Sequence, residues 1–100
     1  MSGFYTHAVW RVREGHEADF IRLWEHDLAR AFSAADPDAR GTLIQSLEEP
    51  THFCSFGPWR SLDAMNAARA APGVGEALQA LRALCVEATP GAYRVVLEIP

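Results

Sequence analysis

The spacing of apolar residues changes several times along this chain, and the order of those changes limits the folds open to it. Residues 4–12, FYTHAVWRV, are rich in β-branched and aromatic side chains and predict a strand. From His16 to Phe32 the apolar residues recur at helical spacing, which predicts an amphipathic helix. The chain is therefore expected to begin with a strand that turns, at Glu14-Gly15, into a helix with one apolar face.

The next part of the chain predicts a hairpin. The segment SAADPDARG, residues 33–41, ends the helix before Pro37. TLIQSLEE, residues 42–49, predicts a second strand, and HFCSF, residues 52–56, predicts a third. Because only Pro50-Thr51 separates them, these two strands are expected to pair antiparallel.

The C-terminal part predicts two helices and a final strand. Ser61 is a suitable N-cap for a helix over LDAMNAARAA, which Pro72-Gly73 interrupts. A further helix over residues 74–88 is followed, after Pro90-Gly91, by a strand over residues 92–99. The order βαββα(α)β predicts an α+β, ferredoxin-like fold, in which a four-stranded antiparallel sheet carries helices on one face.

Both faces of the predicted sheet carry apolar side chains. A sheet with one face in water alternates apolar and polar residues. The first strand instead has Phe4, Ala8 and Trp10 on one face and Tyr5 and Val9 on the other. A single chain would leave one of these faces exposed as an apolar patch. We therefore expect a homodimer whose sheets pack face to face, a dimeric α/β barrel.

Length and charge narrow the classes of partner. One hundred residues suit a single domain, residues 1–100. The net charge of −4, without a basic cluster, argues against nucleic acid and against anionic membranes as partners. All nine basic residues are arginine. That bias reflects either the codon usage of a GC-rich bacterial genome or a role for arginine in binding anions.

The sequence also bears on location and on metal binding. MSGFYTHAVW lacks the basic and apolar regions of a signal peptide, and no apolar run approaches the ~18 residues of a membrane span. Cys54 and Cys85 lack metal-ligand spacing, so no metal site is predicted and both are expected to be small core residues. Two cysteines without an export signal predict a cytoplasmic protein.

Trp59 stands where a large aromatic residue is unusual. It follows Gly57-Pro58 at the end of the third strand and directly precedes the predicted helix start at Ser61. One interpretation is that the indole closes the core beneath the hairpin. The other is that it lines a pocket, where an indole ring can stack on a ligand and donate a hydrogen bond.

The segments REGHEADFIRLWE and SFGPWRSLDAMNAARAAPGVGEAL, within the βαββαβ order, resemble the antibiotic biosynthesis monooxygenase domains of the dimeric α/β-barrel superfamily. The resemblance covers nearly the whole chain. It implies a homodimer with a cavity between sheet and helices in each subunit. The haem-degrading branch of that family has an Asn, a Trp and a His where this chain has Ala8, Ala68 and Leu78, so haem is not expected.

A second branch of the family comprises cofactor-free oxygenases that convert anthrones to quinones. Its site Trp resembles Trp59, whereas its Asn, Tyr and Arg fall at Ser55, at Met65 and near Gln79 or Arg82. The resemblance thus implies a reaction that needs no cofactor. Dioxygen would be reduced by a deprotonated substrate held in a dry pocket.

Eight residues are therefore the candidates for the site. The predicted catalytic residues are Trp59, Arg82 as a partner for the substrate anion, and His7 as general base. The predicted substrate-binding residues are Ser55, Met65, Asn66, Trp24 and His26, the last also a possible base. The alternative for His7 is burial in the sheet-to-sheet interface of the dimer. The alternative for Arg82 is a position on a solvated helix face.

These residues favour a cofactor-independent monooxygenase-like enzyme that oxidises a small phenolic, anthrone or quinol substrate with dioxygen. Two alternatives stay open. One is a ligand-binding or accessory dimer without turnover, which an apolar pocket would favour. The other is a polyketide cyclase or isomerase on the same scaffold, which a well-placed histidine or carboxylate in the pocket would favour.

Overall fold

The computed structural model describes residues 3–100. Met1 and Ser2, which belong to the predicted domain and to the N-terminal segment predicted to lack a signal peptide, lie outside the described residues. The strands are β1 (Phe4–Val12), β2 (Thr42–Gln45), β3 (His52–Trp59) and β4 (Cys85–Arg94). The helices are α1 (Glu17–Leu23), a π-helical segment (Trp24–Leu28), α2 (Ala29–Ala35), α3 (Leu62–Ala70) and α4 (Pro72–Ala83).

The four strands form one antiparallel sheet in the order β2-β3-β1-β4. In the register of the two central strands, Ala8 lies opposite Ser55 and Trp10 lies opposite Phe53. Trp10 and Ala8 also lie opposite Ala88 and Pro90 of β4. The predicted α+β, ferredoxin-like fold is therefore confirmed.

The core lies between the helices and one face of the sheet, which we call the inner face. The first, continuous helical stretch and α4 cover it with Phe20, Leu28, Val74 and Leu81. A second, smaller cluster joins Trp59 to α3. Alternation along β1 places Tyr5, His7 and Val9 on the opposite, outer face.

The first helix contains a feature that its apolar spacing does not predict. The backbone hydrogen bonding is π-helical over Trp24–Leu28 and is α-helical again over Ala29–Ala35. The helix ends before Pro37, as predicted, and its C-cap residue Asp36 is buried. Short π-helical insertions occur often beside functional sites.

Strand β3 is longer than predicted, since it continues through Gly57 and Pro58 to Trp59. Pairing with β2 ends at Phe56, so Pro58 lies where β3 is paired with β1 alone. Proline is tolerated at such a position because β3 has no second neighbour there. The predicted second strand, 42–49, is correspondingly too long, because β2 ends at Gln45.

The predicted C-terminal boundaries are wrong. Helix α4 ends at Ala83 rather than at residue 88, and β4 covers residues 85–94 rather than 92–99. Pro90 and Gly91 lie inside β4, which is an edge strand and therefore tolerates proline. Strand β1 begins at Phe4, opposite Arg94, and beyond this pair Val95 N donates to Gly3 O at 2.8 Å.

Candidate functional site

A cavity of about 610 Å³ lies between the inner face and the first helix, and α4 and the segment before β2 also border it. Its volume is within the range of about 300–1,000 Å³ that is typical of small-molecule sites. Several aromatic side chains contribute to its walls. They include Trp10, Trp24, Phe32, Phe53 and Trp59.

Trp59 both packs in the core and borders this cavity. It is 4% exposed, and its ring meets Phe32 edge-on at a centroid distance of 5.6 Å. Its Nε1–H donates to Thr6 Oγ1 at 3.0 Å. The chain turns directly afterwards because Ser61 caps α3, accepting from Ala64 N at 3.0 Å. Trp59 therefore closes the core and lines the cavity at the same time.

Gly57 allows the segment before β2 to reach the cavity. A Cβ at this position would clash with the carbonyl oxygen of Arg40. The absence of a side chain lets Arg40 and Gly41 lie against β3, where both border the cavity. Sequence alone marks Gly57 as a breaker, whereas its role is this close approach between two backbones.

Ser55 lies on the inner face beside Trp59 and is 6% exposed. Its Oγ accepts a hydrogen bond from Trp10 Nε1 at 3.0 Å. Ser55 borders the cavity, as predicted for a substrate-binding residue, but its oxygen already serves a protein donor. Its hydroxyl hydrogen and one lone pair are left for a ligand.

Trp24 also borders the cavity, at the first residue of the π-helical segment. Its Nε1 is shielded from solvent and has no hydrogen-bond partner among residues 3–100. Buried donors are almost always paired, and an unpaired one costs roughly 1–3 kcal/mol. Trp24 was predicted as a substrate-binding residue, although its place in the apolar stripe of the first helix is also typical of a core residue.

Arg82 reaches the cavity from the last turn of α4, one turn after Leu78, which borders it too. The Arg82 side chain is exposed and makes no ion pair within residues 3–100. Arg82 and Trp59, predicted as catalytic, thus border one cavity, together with Ser55 and Trp24.

Of the other four predicted site residues, His7 borders the cavity and three do not. The His7 side chain lies on the outer face, where its ring meets that of Tyr93 edge-on at 5.5 Å, although the residue also borders the cavity. Met65 is fully buried in the cluster with Trp59. Asn66 is exposed on α3. His26 is exposed too, with Nε2 3.7 Å from a Glu25 carboxylate oxygen.

Sequence reasoning missed six polar residues of the cavity lining: Thr6, Glu25, Ser33, Arg40, Gln45 and Arg69. Thr6 shares the inner face with Ala8 and Trp10, so strand alternation contains the signal that would have found it. Arg40 lies in the breaker segment and Arg69 on a short helix. No local pattern indicates that either would reach a common cavity.

The described cysteines and histidines form no metal site. Within residues 3–100 no group of three or more His, Cys, Asp or Glu residues is placed to hold a metal ion. Cys85 is buried at the start of β4, and burial raises the pKa of its thiol above 9.0, against the opposing effect of the Arg13 guanidinium. No helix of the described chain is long and apolar enough to cross a membrane.

Comparison with known proteins points to one family. The family model described as antibiotic biosynthesis monooxygenase matches residues 3–80. A variant of SnoaB, a cofactor-independent oxygenase from Streptomyces nogalater, is 25% identical with a TM-score of 0.84, over 100% of this chain and 99% of that one. A candidate antibiotic biosynthesis monooxygenase from Deinococcus radiodurans is 27% identical with a TM-score of 0.81, over 97% and 96%.

A conserved protein from Methanosarcina mazei shares the fold at 16% identity, with a TM-score of 0.80 over 94% of this chain and 93% of that one. Among curated protein sequences, none matches this chain significantly.

Proposed function

The chain belongs to the antibiotic biosynthesis monooxygenase family, and from that premise we propose that it is a cofactor-independent monooxygenase-like enzyme. Its substrate is a small aromatic compound, a phenol, anthrone or quinol, which it oxidises with dioxygen. The similarity to a variant of SnoaB, itself a cofactor-independent oxygenase, supports this reaction class. The substrate class is supported by the aromatic walls of the cavity.

The single observation that carries the proposal is the position of Trp59. Its indole borders the cavity from the end of β3 and is held there by the Thr6 hydroxyl. A flat aromatic substrate can pack against this ring and against Phe32, 5.6 Å from it. Such walls exclude water, which favours a reaction that proceeds through a substrate anion.

The proposed reaction balances without a cofactor. An anthrone loses one proton to water at the exposed edge of the cavity, and the resulting anion supplies the electrons that reduce dioxygen. One oxygen atom becomes the new carbonyl group of the quinone, and the other leaves as water with both hydrogens of the oxidised carbon. The Arg82 guanidinium, at the cavity edge, stabilises the anion through its charge.

We further propose that the 100-residue domain acts as a homodimer that pairs outer faces. Tyr93 is 57% exposed and Phe56 is 37% exposed on this face of the single chain. A second cavity, of about 350 Å³, also opens there between Tyr5, His7 and Tyr93. Packing against a second sheet would remove this apolar surface from water. Under this arrangement His7 belongs to the dimer interface rather than to the reaction.

Binding without turnover is the second candidate, and one specific observation favours it. The Trp59 N–H and the Ser55 oxygen are both already engaged by protein groups, Thr6 and Trp10 respectively. A cyclase or isomerase would need an acid or base in the cavity. Glu25 is the carboxylate among the described lining residues, but its side chain is largely exposed.

Dioxygen consumption by metal-free protein tests the proposal. A panel of anthrones and hydroquinones is offered to the wild type and to Trp59→Phe. The wild type is expected to consume dioxygen well above the spontaneous rate with at least one anthrone. Trp59→Phe is expected to slow it about tenfold, since the smaller ring loses the bond to Thr6 that positions the indole, and a substrate misplaced by about 1 Å can react 10²-fold more slowly.

The matched control is Trp10→Phe, which removes an indole N–H from the same inner face, with unfolding by urea checking that both variants are folded. Trp10→Phe is expected to keep more activity than Trp59→Phe. An absence of dioxygen uptake across the panel would overturn the oxygenase and leave the binding dimer.

A further inference from the structure

Three arginines border the cavity without a carboxylate partner. Arg40 comes from the segment before β2, Arg69 from the last turn of α3 and Arg82 from the last turn of α4. None of the three makes an ion pair or side-chain hydrogen bond within residues 3–100. Of the six arginines outside the cavity, Arg11, Arg22 and Arg60 have carboxylate partners. The other three, Arg13, Arg30 and Arg94, make no ion pair among the described residues.

The cavity is therefore positively charged within an acidic protein. Its described lining holds three arginines and one carboxylate, that of Glu25, while the whole chain carries −4. The chain has 13 acidic residues, so carboxylates are abundant, yet three separate segments direct arginine to this one place. A concentration of unpaired positive charge at the edge of an apolar cavity attracts an anionic ligand.

The interior of the cavity adds hydrogen-bond donors to the charge of the arginines. The hydroxyl oxygens of Thr6 and Ser55 accept bonds from the two indoles, so each hydroxyl has a hydrogen left to donate. The Trp24 N–H has no acceptor among the described residues. A ligand with oxygen acceptors can therefore accept hydrogen bonds from the Thr6 and Ser55 hydroxyls.

We propose that the ligand of this cavity is an aromatic carboxylate, with its rings between the indoles and its carboxylate at the arginine-lined edge. A guanidinium binds a carboxylate through two parallel hydrogen bonds, and such charge-assisted bonds are about twice as strong as neutral ones. The inference rests on the proposed function in one respect: it assigns the ligand to the same cavity. It adds a permanent negative charge that the reacting phenol or anthrone group does not supply.

Calorimetric titration of the full-length protein with 2-naphthoate and with 2-naphthamide, at neutral pH, tests this directly. The two probes share their rings and differ in charge. Naphthoate is expected to bind roughly tenfold more tightly, because the difference between a charge-assisted and a neutral hydrogen bond corresponds to about one decade in Kd. The preference should shrink at high salt, because the arginines lie at an exposed edge.

Arginine-to-glutamine variants test which arginines bind the carboxylate of the ligand. Arg69→Gln/Arg82→Gln, and separately Arg40→Gln, are expected to weaken naphthoate binding and leave naphthamide binding unchanged. The matched control is Arg22→Gln/Arg30→Gln, which removes the same charge from exposed positions away from the cavity. It is expected to retain the preference for naphthoate.

Equal binding of the two probes, no binding of either, or an equal loss in the control pair would overturn the inference. Dioxygen uptake with a neutral anthrone is measured separately. Uptake without a preference for naphthoate refutes the carboxylate alone. A preference for naphthoate without uptake of dioxygen on any substrate refutes the oxygenase alone.

Discussion

The indole N–H of Trp59 donates to the hydroxyl of Thr6 at 3.0 Å, across the paired strands β3 and β1. Thr6 lies opposite Gly57, so the bond joins diagonal neighbours. A second bond of this kind joins the same two strands with the donor on the other strand: Trp10 of β1 donates to Ser55 of β3, also at 3.0 Å. Two hydroxyl groups thereby fix two indoles of the cavity wall.

Thr6→Val keeps the shape of the side chain and removes the acceptor for Trp59. The free energy of unfolding is expected to fall by about 1–2 kcal/mol, because the indole N–H is left without a partner. Urea unfolding measures the change. Thr89→Val is the control, since Thr89 is an exposed strand residue on β4. Equal effects of the two variants would show that the hydrogen bond to Trp59 does not contribute.

Trp10 and Ser55 are expected to be energetically coupled. Ser55→Ala should destabilise the wild type by about 1–3 kcal/mol, because it leaves a buried N–H unpaired. In a Trp10→Phe background, which has no such N–H, the same change should cost about 1 kcal/mol less. A double-mutant cycle by urea unfolding measures the difference. Simple additivity would contradict the bond.

Gly57→Ala is expected to destabilise the protein by more than about 2 kcal/mol, because the new methyl group would meet the backbone carbonyl of Arg40, which has little room to move. Thermal unfolding tests this. Gly75→Ala in α4 is the control, with nothing within 4 Å of the added carbon. That variant should be stabilised by about 0.5–1 kcal/mol, since alanine favours the helix. Similar losses in both variants would argue against the clash.

Cys85 should make stability depend on alkaline pH. Burial raises the pKa of its thiol in the folded state above the ordinary 9.0. The folded protein thus holds the proton more tightly than the unfolded chain. The contribution is complete below pH 9 and is lost as the pH rises through the folded pKa. Unfolding free energies measured above about pH 9 should fall more steeply for the wild type than for Cys85→Ala. Parallel curves would contradict this.

The proposed dimer predicts a mass of about 22 kDa by light scattering, twice the chain mass of 11.0 kDa. Phe56→Glu, on the outer face, is expected to yield monomers because it places an unpaired charge in the interface. Leu62→Glu is the control, on an exposed position of α3. A wild-type mass of 11.0 kDa would contradict the dimer.

Sequence periodicity located the elements with a strong pattern of their own. The first strand was predicted at residues 4–12, where it lies, and the first helix ends before Pro37 as expected. Boundaries that depend on partners were not found. β4 ends at Arg94, opposite Phe4, and only the bond from Val95 N to Gly3 O at 2.8 Å extends the described pairing, although Val96, Leu97 and Ile99 have the composition of a strand.

Some features of the site likewise follow from the local sequence, and others depend on how the chain packs. The indole at Trp59 and the apolar inner face follow from residue types and strand alternation, which are local properties. The convergence of Arg40, Arg69 and Arg82 on one cavity does not, because it depends on how three distant segments pack. The sequence by itself determined the order of elements and the apolar faces, through the periods of helix and strand. The tertiary structure alone decided which side chains share the cavity, because sheet register and helix packing bring together residues far apart in the chain.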